Sequence, residues 1–262
     1  MTAPTPTDTA LGLFETLLVS EGRPVELDAH LRRLGASCES VLGAPLPEHT
    51  SGLVRERAAG VGLGRLRLTV VAGPDGPEVE ARVTAIDPAV VFPSPERGAA
   101  ALRTLRLDGG LGSHKWVDRT ALEEIREPEV ALLLDRDGTV LEASRANVFI
   151  VRDGIALTPP TDGRILPGIV RGNAIEVAAE EGIELREQRL EIDDLLAAEE
   201  VFLTGSVRGL QRAGSLDGAE LPAAGEVSRR LAAGLRRRWR VPAAAALAPE
   251  PAAAPPPGPP VR

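Results

Sequence analysis

Tyrosine is absent from this 262-residue chain, which holds one cysteine, one methionine, two tryptophans, four phenylalanines and three histidines. Each scarcity removes a class of chemistry. A single Cys38 leaves no disulfide framework and no cysteine-based zinc site. The histidines have no metal-ligand spacing, so no metal site is predicted, and they are too few to found a Ser-His-Asp arrangement. No apolar run approaches the ~18 residues that a membrane-spanning helix needs. The opening residues do not have the pattern of a secretory leader, so none is expected. A net charge of −8 argues against a nucleic-acid binder. Lysine is scarce as well, because the chain takes nearly all its positive charge from arginine. These absences predict a cytoplasmic protein in a reducing environment, with neither nucleic acid nor membrane as partner.

What remains is the composition of a folded chain. Apolar residues make up 43% and charged residues 26%, and the length suffices for one large domain or two small ones with their own cores. The patterning predicts a strand over 11–19 and a helix capped by Asp28 that buries Leu31, Leu34, Cys38 and Leu42. His30 and Arg33 lie three apart on that helix and so share a face. A second helix over 48–59, a hairpin of 65–72 with 78–86, a proline-rich loop and a strand over 101–107 follow. Beyond a Gly109-Gly110 break come a helix-like 120–125, strands over 130–135 and 139–142, and a hairpin of 147–151 with 155–158. Leu166-Pro167-Gly168 opens a helix to about residue 180, with Pro167 and Gly168 in its first turn. A strand over 183–191, a short helix over 193–198, a strand over 200–203 and an amphipathic helix over 225–240 complete the pattern. The expected class is α+β, with a small N-terminal α+β domain over 1–108 and a larger C-terminal domain over 109–240. Residues 1–9 and the Ala/Pro-rich tail over 241–262 are expected to be disordered.

Lys115 stands where a strand-like run gives way to a helix-like one. Arginine stays protonated, whereas a desolvated lysine can lose its proton and act as an amine nucleophile. Lys115 is therefore a candidate Schiff-base residue. Two places can bind an anion through backbone amides, the helix start at Gly168-Ile169-Val170 and the strand end at Thr204-Gly205-Ser206. With a guanidinium such as Arg33 they could hold a phosphate dianion. Glu142, at the end of a strand, adds a carboxylate. A lysine, a phosphate site and a carboxylate together are what pyridoxal phosphate chemistry requires.

Six pieces, Phe14-Glu15-Thr16, His30-Leu31-Arg32-Arg33-Leu34, Lys115 with Asp118-Arg119, Glu142 through Phe149, Leu166-Pro167-Gly168-Ile169 and Phe202-Leu203-Thr204-Gly205-Ser206, stand in the order found in class IV aminotransferases. Over about 11–218 the chain resembles that family of fold-type IV, pyridoxal 5'-phosphate-dependent enzymes. The resemblance implies two α+β domains with the cofactor between them, a homodimer and a small-molecule amino substrate. It implies that Lys115 binds the cofactor covalently and that Glu142 faces the pyridine nitrogen. Arg33, the Ile169 and Val170 amides and Ser206 would bind the phosphate, with Asn147 in support. Arg67 and Arg119 would lie near the substrate. The chain departs from the family in three ways. Only about ten residues precede Phe14-Glu15-Thr16, Leu18 stands where relatives often carry arginine, and Thr120 stands where branched-chain enzymes carry tyrosine. Val170 also replaces a common threonine, although there the amide does the binding.

The Lys-x-x-Asp-Arg pattern and Glu-Ala-Ser-Arg-Ala-Asn-Val-Phe look most like aminodeoxychorismate lyase. That resemblance implies conversion of 4-amino-4-deoxychorismate to 4-aminobenzoate and pyruvate, a folate-type pathway step. The alternative is an aminotransferase of branched-chain or D-amino acid type. A cofactor-dead binding protein is a third reading, opposed by the joint retention of Lys115, Glu142, Arg33 and Ser206.

Overall fold

The computed structural model describes residues 12–242, so residue 11, the first nine residues and nearly all of the Ala/Pro-rich tail lie outside the described part. An apolar central strand and an alternating hairpin build the first sheet. Its centre is β1 (Gly12–Ser20), followed by β2 (Arg23–Pro24), the helices α1 (Leu27–Leu42) and α2 (Thr50–Ala58), and the hairpin β3 (Leu63–Gly73) and β4 (Gly76–Ala85). The order is β2-β1-β3-β4, antiparallel throughout. Leu13, Leu17 and Val19 of β1 and Leu66, Leu68 and Val70 of β3 pack against α1 and α2 around Leu34, Cys38 and Val54. The opposite parity, Phe14, Leu18, Arg65 and Arg67, faces the other way. Asp28 is not the cap of α1. Glu26 holds that position with a left-handed φ of 54° and no side-chain cap bond, forced by the tight turn out of β2. Asp28 sits in the first turn, where its charge still suits the helix dipole.

The second sheet contains β5 (Ala100–Arg106), β6 (Glu129–Leu134), β7 (Val140–Ala143), β8 (Asn147–Arg152) and β9 (Ile155–Thr158). Next come α3 (Ile169–Glu180), β10 (Leu185–Glu187), α4 (Ile192–Leu196), β11 (Glu200–Gly205), β12 (Gly209–Leu216), β13 (Ala219–Glu220) and α5 (Glu226–Trp239). The strands run β10-β9-β8-β11-β12-β5-β6-β7, with β13 on β12. The molecule is thus of the expected α+β class, but β5 belongs to the second sheet although it precedes residue 108, so the change of sheet falls between β4 and β5. Three local differences have physical causes. Residues 120–125 make only a 3-10 turn at Thr120–Leu122, because so short a segment does not offset the cost of helix nucleation. At the sheet edge, the expected 183–191 strand is broken up, with Leu185–Glu187 pairing parallel to β9 and Leu190 making an isolated antiparallel bridge to Val140 of β7. The unanticipated β12 contains no Val, Ile or Thr, and its two neighbours, β11 and β5, make it a strand where propensity does not. Among the described residues no helix is long and apolar enough to cross a membrane.

The two sheets meet through a shared core. Leu18 and Val25 of the first unit pack with Phe149, Phe202, Val170, Leu231 and Trp239 of the second, and Phe149 and Phe202 stack at 5.2 Å with rings nearly parallel. Buried Glu200, at the start of β11, caps α5 from outside the helix. Its two carboxylate oxygens accept the Val227 and Ser228 amides, each at 3.0 Å. A Cβ on Gly225 would lie 2.2 Å from Glu200 Oε1, so only glycine lets the helix start approach that closely. Glu200→Ala should leave two buried amides unpaired beside the positive end of a helix and cost about 2 kcal/mol. Chemical denaturation checks this, and Glu200→Gln should recover part of the loss.

Candidate functional site

Lys115 is the only lysine in the chain, and its loop crosses between the sheets. After β5 the backbone turns through Gly109, Gly110 and Gly112, with φ of 75°, 67° and 76°. It then pairs with the edge of β1, where Phe14 N donates to Lys115 O at 2.9 Å and Val117 N to Gly12 O at 2.8 Å. The lysine is thereby fixed to the small sheet, with Nζ 4.7 Å from the Phe14 ring centroid. Part of the side chain still meets solvent, but the amine is densely surrounded. Burial lowers its pKa to about 8; Glu15 opposes this, while Arg119 and Arg33 add to it.

On the α1 side of β1 lies a buried ion cluster. Glu15, 1% exposed, occupies a core-facing position of β1. It accepts Arg33 Nε and Nη2 at 2.8 and 2.7 Å and His30 Nδ1 at 2.8 Å. Burial alone would raise the Glu15 carboxyl, but the His30 and Arg33 contacts outweigh it and hold it at about 2. An ionised carboxylate only accepts, so His30 Nδ1 carries the proton. Arg33 also donates Nη1 to Pro167 O at 2.9 Å, which leaves two of its N–H groups free of these contacts. The expected shared face of His30 and Arg33 is thus real, and what occupies it is Glu15. The signal for Glu15 was in the sequence, as a charge at the parity that Leu13, Leu17 and Val19 bury.

On the other side stands Glu142, 4% exposed at the end of β7. Burial raises its pKa to about 7, against the Leu166 amide bond and the charges of Lys115, Arg119 and Arg33. Its Oε1 accepts Leu166 N at 3.2 Å, and its Oε2 accepts Asn147 Nδ2 at 3.3 Å. Asn147 Nδ2 also reaches Leu166 O at 3.0 Å. Gly168 is the N-cap of α3 and the helix begins at Ile169, so Pro167 and Gly168 stand just before the first turn and not within it as expected; a Cβ on Gly168 would lie 1.9 Å from Asn147 Oδ1. Ile169 and Val170 open the helix, where no preceding turn supplies acceptors for their amides. Asn147 pairs in register with Thr204, two residues before Ser206. Thr204 Oγ1 is buried without a hydrogen-bond partner.

Arg67 and Arg119, the two arginines expected near the substrate, converge on Phe14. The Arg67 guanidinium stacks 3.2 Å from the ring centroid and that of Arg119 lies 5.8 Å away. Burial, then repulsion from Arg119 and Arg65, lowers Arg67 to about 10. Arg119 is also lowered by burial, and it donates to Ser144 O. The fold therefore gathers Lys115, Arg33, Glu142, Asn147, Arg67, Arg119, the start of α3 and the end of β11 into one region, with Glu15, Phe14 and Thr204 added. This donor set suits a small planar molecule. Free N–H groups and hydroxyls could receive a phosphate, a buried carboxylate could receive a protonated ring nitrogen, and an amine of lowered pKa lies in the same region.

The raised pKa of Glu142 has a consequence for stability. In the ligand-free protein the folded state keeps this proton up to about pH 7, whereas the unfolded carboxyl releases it near its ordinary 4.5. The folded state binds more protons in that window, so stability falls as pH rises through it. Glu142→Gln should abolish that share of the decline and raise the melting temperature of ligand-free protein above pH 7, as differential scanning fluorimetry across pH would show.

Residues 12–216 match the family described as amino-transferase class IV. The aminodeoxychorismate lyase of Bacillus subtilis is 31% identical over 218 residues, covering 75% of this chain and 74% of that protein. The branched-chain-amino-acid aminotransferase of Escherichia coli K12 is 40% identical over 90 residues, or 34% of this chain and 29% of that protein. The chain spans 40% or less of the length of several branched-chain enzymes that it matches. Among solved structures, a hypothetical aminotransferase from Mycobacterium tuberculosis in its PLP-bound form superposes with a TM-score of 0.75 at 25% identity, covering 87% of this chain and 88% of that one. The chain belongs to the class IV aminotransferase family.

Proposed function

We propose that this enzyme is a pyridoxal 5'-phosphate-dependent 4-amino-4-deoxychorismate lyase that forms 4-aminobenzoate and pyruvate. The observation that carries the cofactor is the opposed pair in one buried seam, an amine lowered to about 8 and a carboxylate raised to about 7. Each lacks in the free protein the partner that this cofactor would bring. Lys115 would hold the cofactor covalently, and Glu142, steadied by Asn147 and the Leu166 amide, would keep its ring nitrogen protonated. Arg33, the Ile169 and Val170 amides and Ser206 would take the phosphate. Bound there, the cofactor supplies an electron sink conjugated to the substrate carbon that bears nitrogen.

The chain's own residues account for the remaining steps. Arg67 and Arg119, each destabilised as a cation by burial, would gain from substrate carboxylates above Phe14. Lys115 Nζ, with a pKa close to physiological pH, takes the proton from the carbon bearing nitrogen. The C–O bond to the enolpyruvyl group then breaks, pyruvate leaves, and the ring becomes aromatic. Atoms balance with no amino acceptor and no water consumed. Support for the lyase over its relatives is the B. subtilis match across most of both chains, whereas the branched-chain matches are local. The shorter but closer E. coli match favours a second reading, an aminotransferase on the same residues. A cytoplasmic homodimer completes the proposal, on family grounds.

Two measurements test this. Protein loaded with cofactor should show visible absorption that borohydride bleaches, and Lys115→Ala should lack that band; an unchanged spectrum would remove Lys115 from its role. Incubated with 4-amino-4-deoxychorismate and no keto acid, the wild type should release pyruvate and 4-aminobenzoate in equal amounts. A loaded enzyme that releases none, yet transfers amino groups from amino acids, would replace the lyase reading with the aminotransferase.

A further inference from the structure

We infer that Arg164 and Asp135 form a positioning pair that sets where Lys115 stands relative to the groups opposite it. The inference rests on reading Lys115 as the residue that meets the cofactor's aldehyde. Residues 164–168 touch each part of the site in turn. The Arg164 carbonyl accepts Gly112 N at 3.2 Å, in the loop that carries Lys115. Leu166 bonds both Glu142 and Asn147, and the Pro167 carbonyl takes Arg33 Nη1. Gly168 then opens α3. Between these contacts Ile165, 1% exposed, plugs into the apolar cluster of Leu105, Leu133 and Leu141. So short a peptide has little slack, and its Arg164 end decides how the lysine loop sits against the rest.

Asp135 fixes that end. It follows β6 and sits in the turn that leads to β7 and Glu142. Its Oδ2 accepts Arg164 Nη1 at 2.8 Å, and its Oδ1 accepts the amides of Gly109 at 3.0 Å and Arg136 at 2.7 Å. Gly109 belongs to the lysine loop, so one carboxylate holds the loop and the 164–168 segment together. Asp162 takes the remaining side of the guanidinium, with Nε at 2.9 Å and Nη2 at 2.6 Å. The Gly109 amide, then Arg164 and the Arg136 amide, hold the Asp135 carboxyl at about 2, so the ion pair persists at neutral pH. The closeness of the two segments shows at Gly110, where φ is 67° and a Cβ would lie 2.1 Å from the Arg164 carbonyl oxygen.

Pyridoxamine phosphate separates positioning from plain structural support, because it shares the ring nitrogen and the phosphate but has no aldehyde to meet a lysine. Wild type should bind pyridoxal phosphate more tightly than pyridoxamine phosphate. Arg164→Met should shrink that preference about 10-fold while leaving pyridoxamine phosphate affinity within about two-fold. Asp135→Asn, which keeps an acceptor for the Gly109 amide but loses the charge, should shrink it less. Equal losses for both ligands, or an unchanged preference, would overturn the pair's positioning role. A wild type with no preference at all would instead overturn the reading of Lys115.

Discussion

Desolvation of opposite charges in one seam is the constraint on which this structure turns. Lys115 and Glu142 are both packed where water cannot fully solvate them, and each is pushed toward its neutral form. In water both would be charged and spend their chemistry on solvent. Held here, the amine gives up its proton more readily than in water, and the carboxylate is costly until a cation meets it. The surrounding ionic groups moderate the effect. Glu15 favours the charged lysine, Arg119 and Arg33 oppose it, and the same two arginines favour the ionised Glu142. The site is therefore a balance of fixed charges around a place for a ligand.

Two sheets are needed to build such a seam. The small sheet supplies Phe14, Glu15 and Arg67, and holds the Lys115 backbone through β1. The large sheet supplies Glu142, Asn147 and the strand end at Ser206, with α3 packed beside it. Leu18, which stands where relatives often carry arginine, is fully buried in the core shared by the two sheets. Its apolar side chain joins the halves instead of reaching for an anion. The absence of tyrosine is matched by a site whose polar work is done by arginine, carboxylate, amide and hydroxyl. Within the seam, glycine is required at two close approaches, Gly168 over Asn147 and Gly110 over Arg164, where a side chain would push apart segments that pack together.

Much of this was legible in the chain itself. Alternation gave β3 and β4, an apolar run gave β1, and helical spacing gave α1 and α5, because burial of one face imposes period 2 or 3.6 locally. The spacing of His30 and Arg33 placed them on one face before any partner was visible. Glycine-rich and hydroxyl-bearing termini marked candidate anion sites for reasons of backbone chemistry alone. Propensity failed at β12, whose neighbours lie far away in sequence, and at 120–125, where the pattern was present but the length was not. The role of Glu15 as partner to Arg33 was half visible, since a carboxylate at a buried parity must find a donor but the sequence does not say which.

By itself, then, the sequence determined the residue types and their local faces: one lysine, a buried strand carboxylate, amide-rich helix and strand ends, and an order of motifs shared with a family. Only the tertiary structure decided which sheet each part joined, because β5 and β12 gain their partners from distant segments and the Lys115 loop crosses back to β1. It alone set the proton affinities, since desolvation and Coulomb interactions depend on neighbours in space. The contact of Arg164 with Asp135, 29 positions apart, is of the same kind. Separations of that size leave no periodic trace along the chain, so they are fixed only when the core closes.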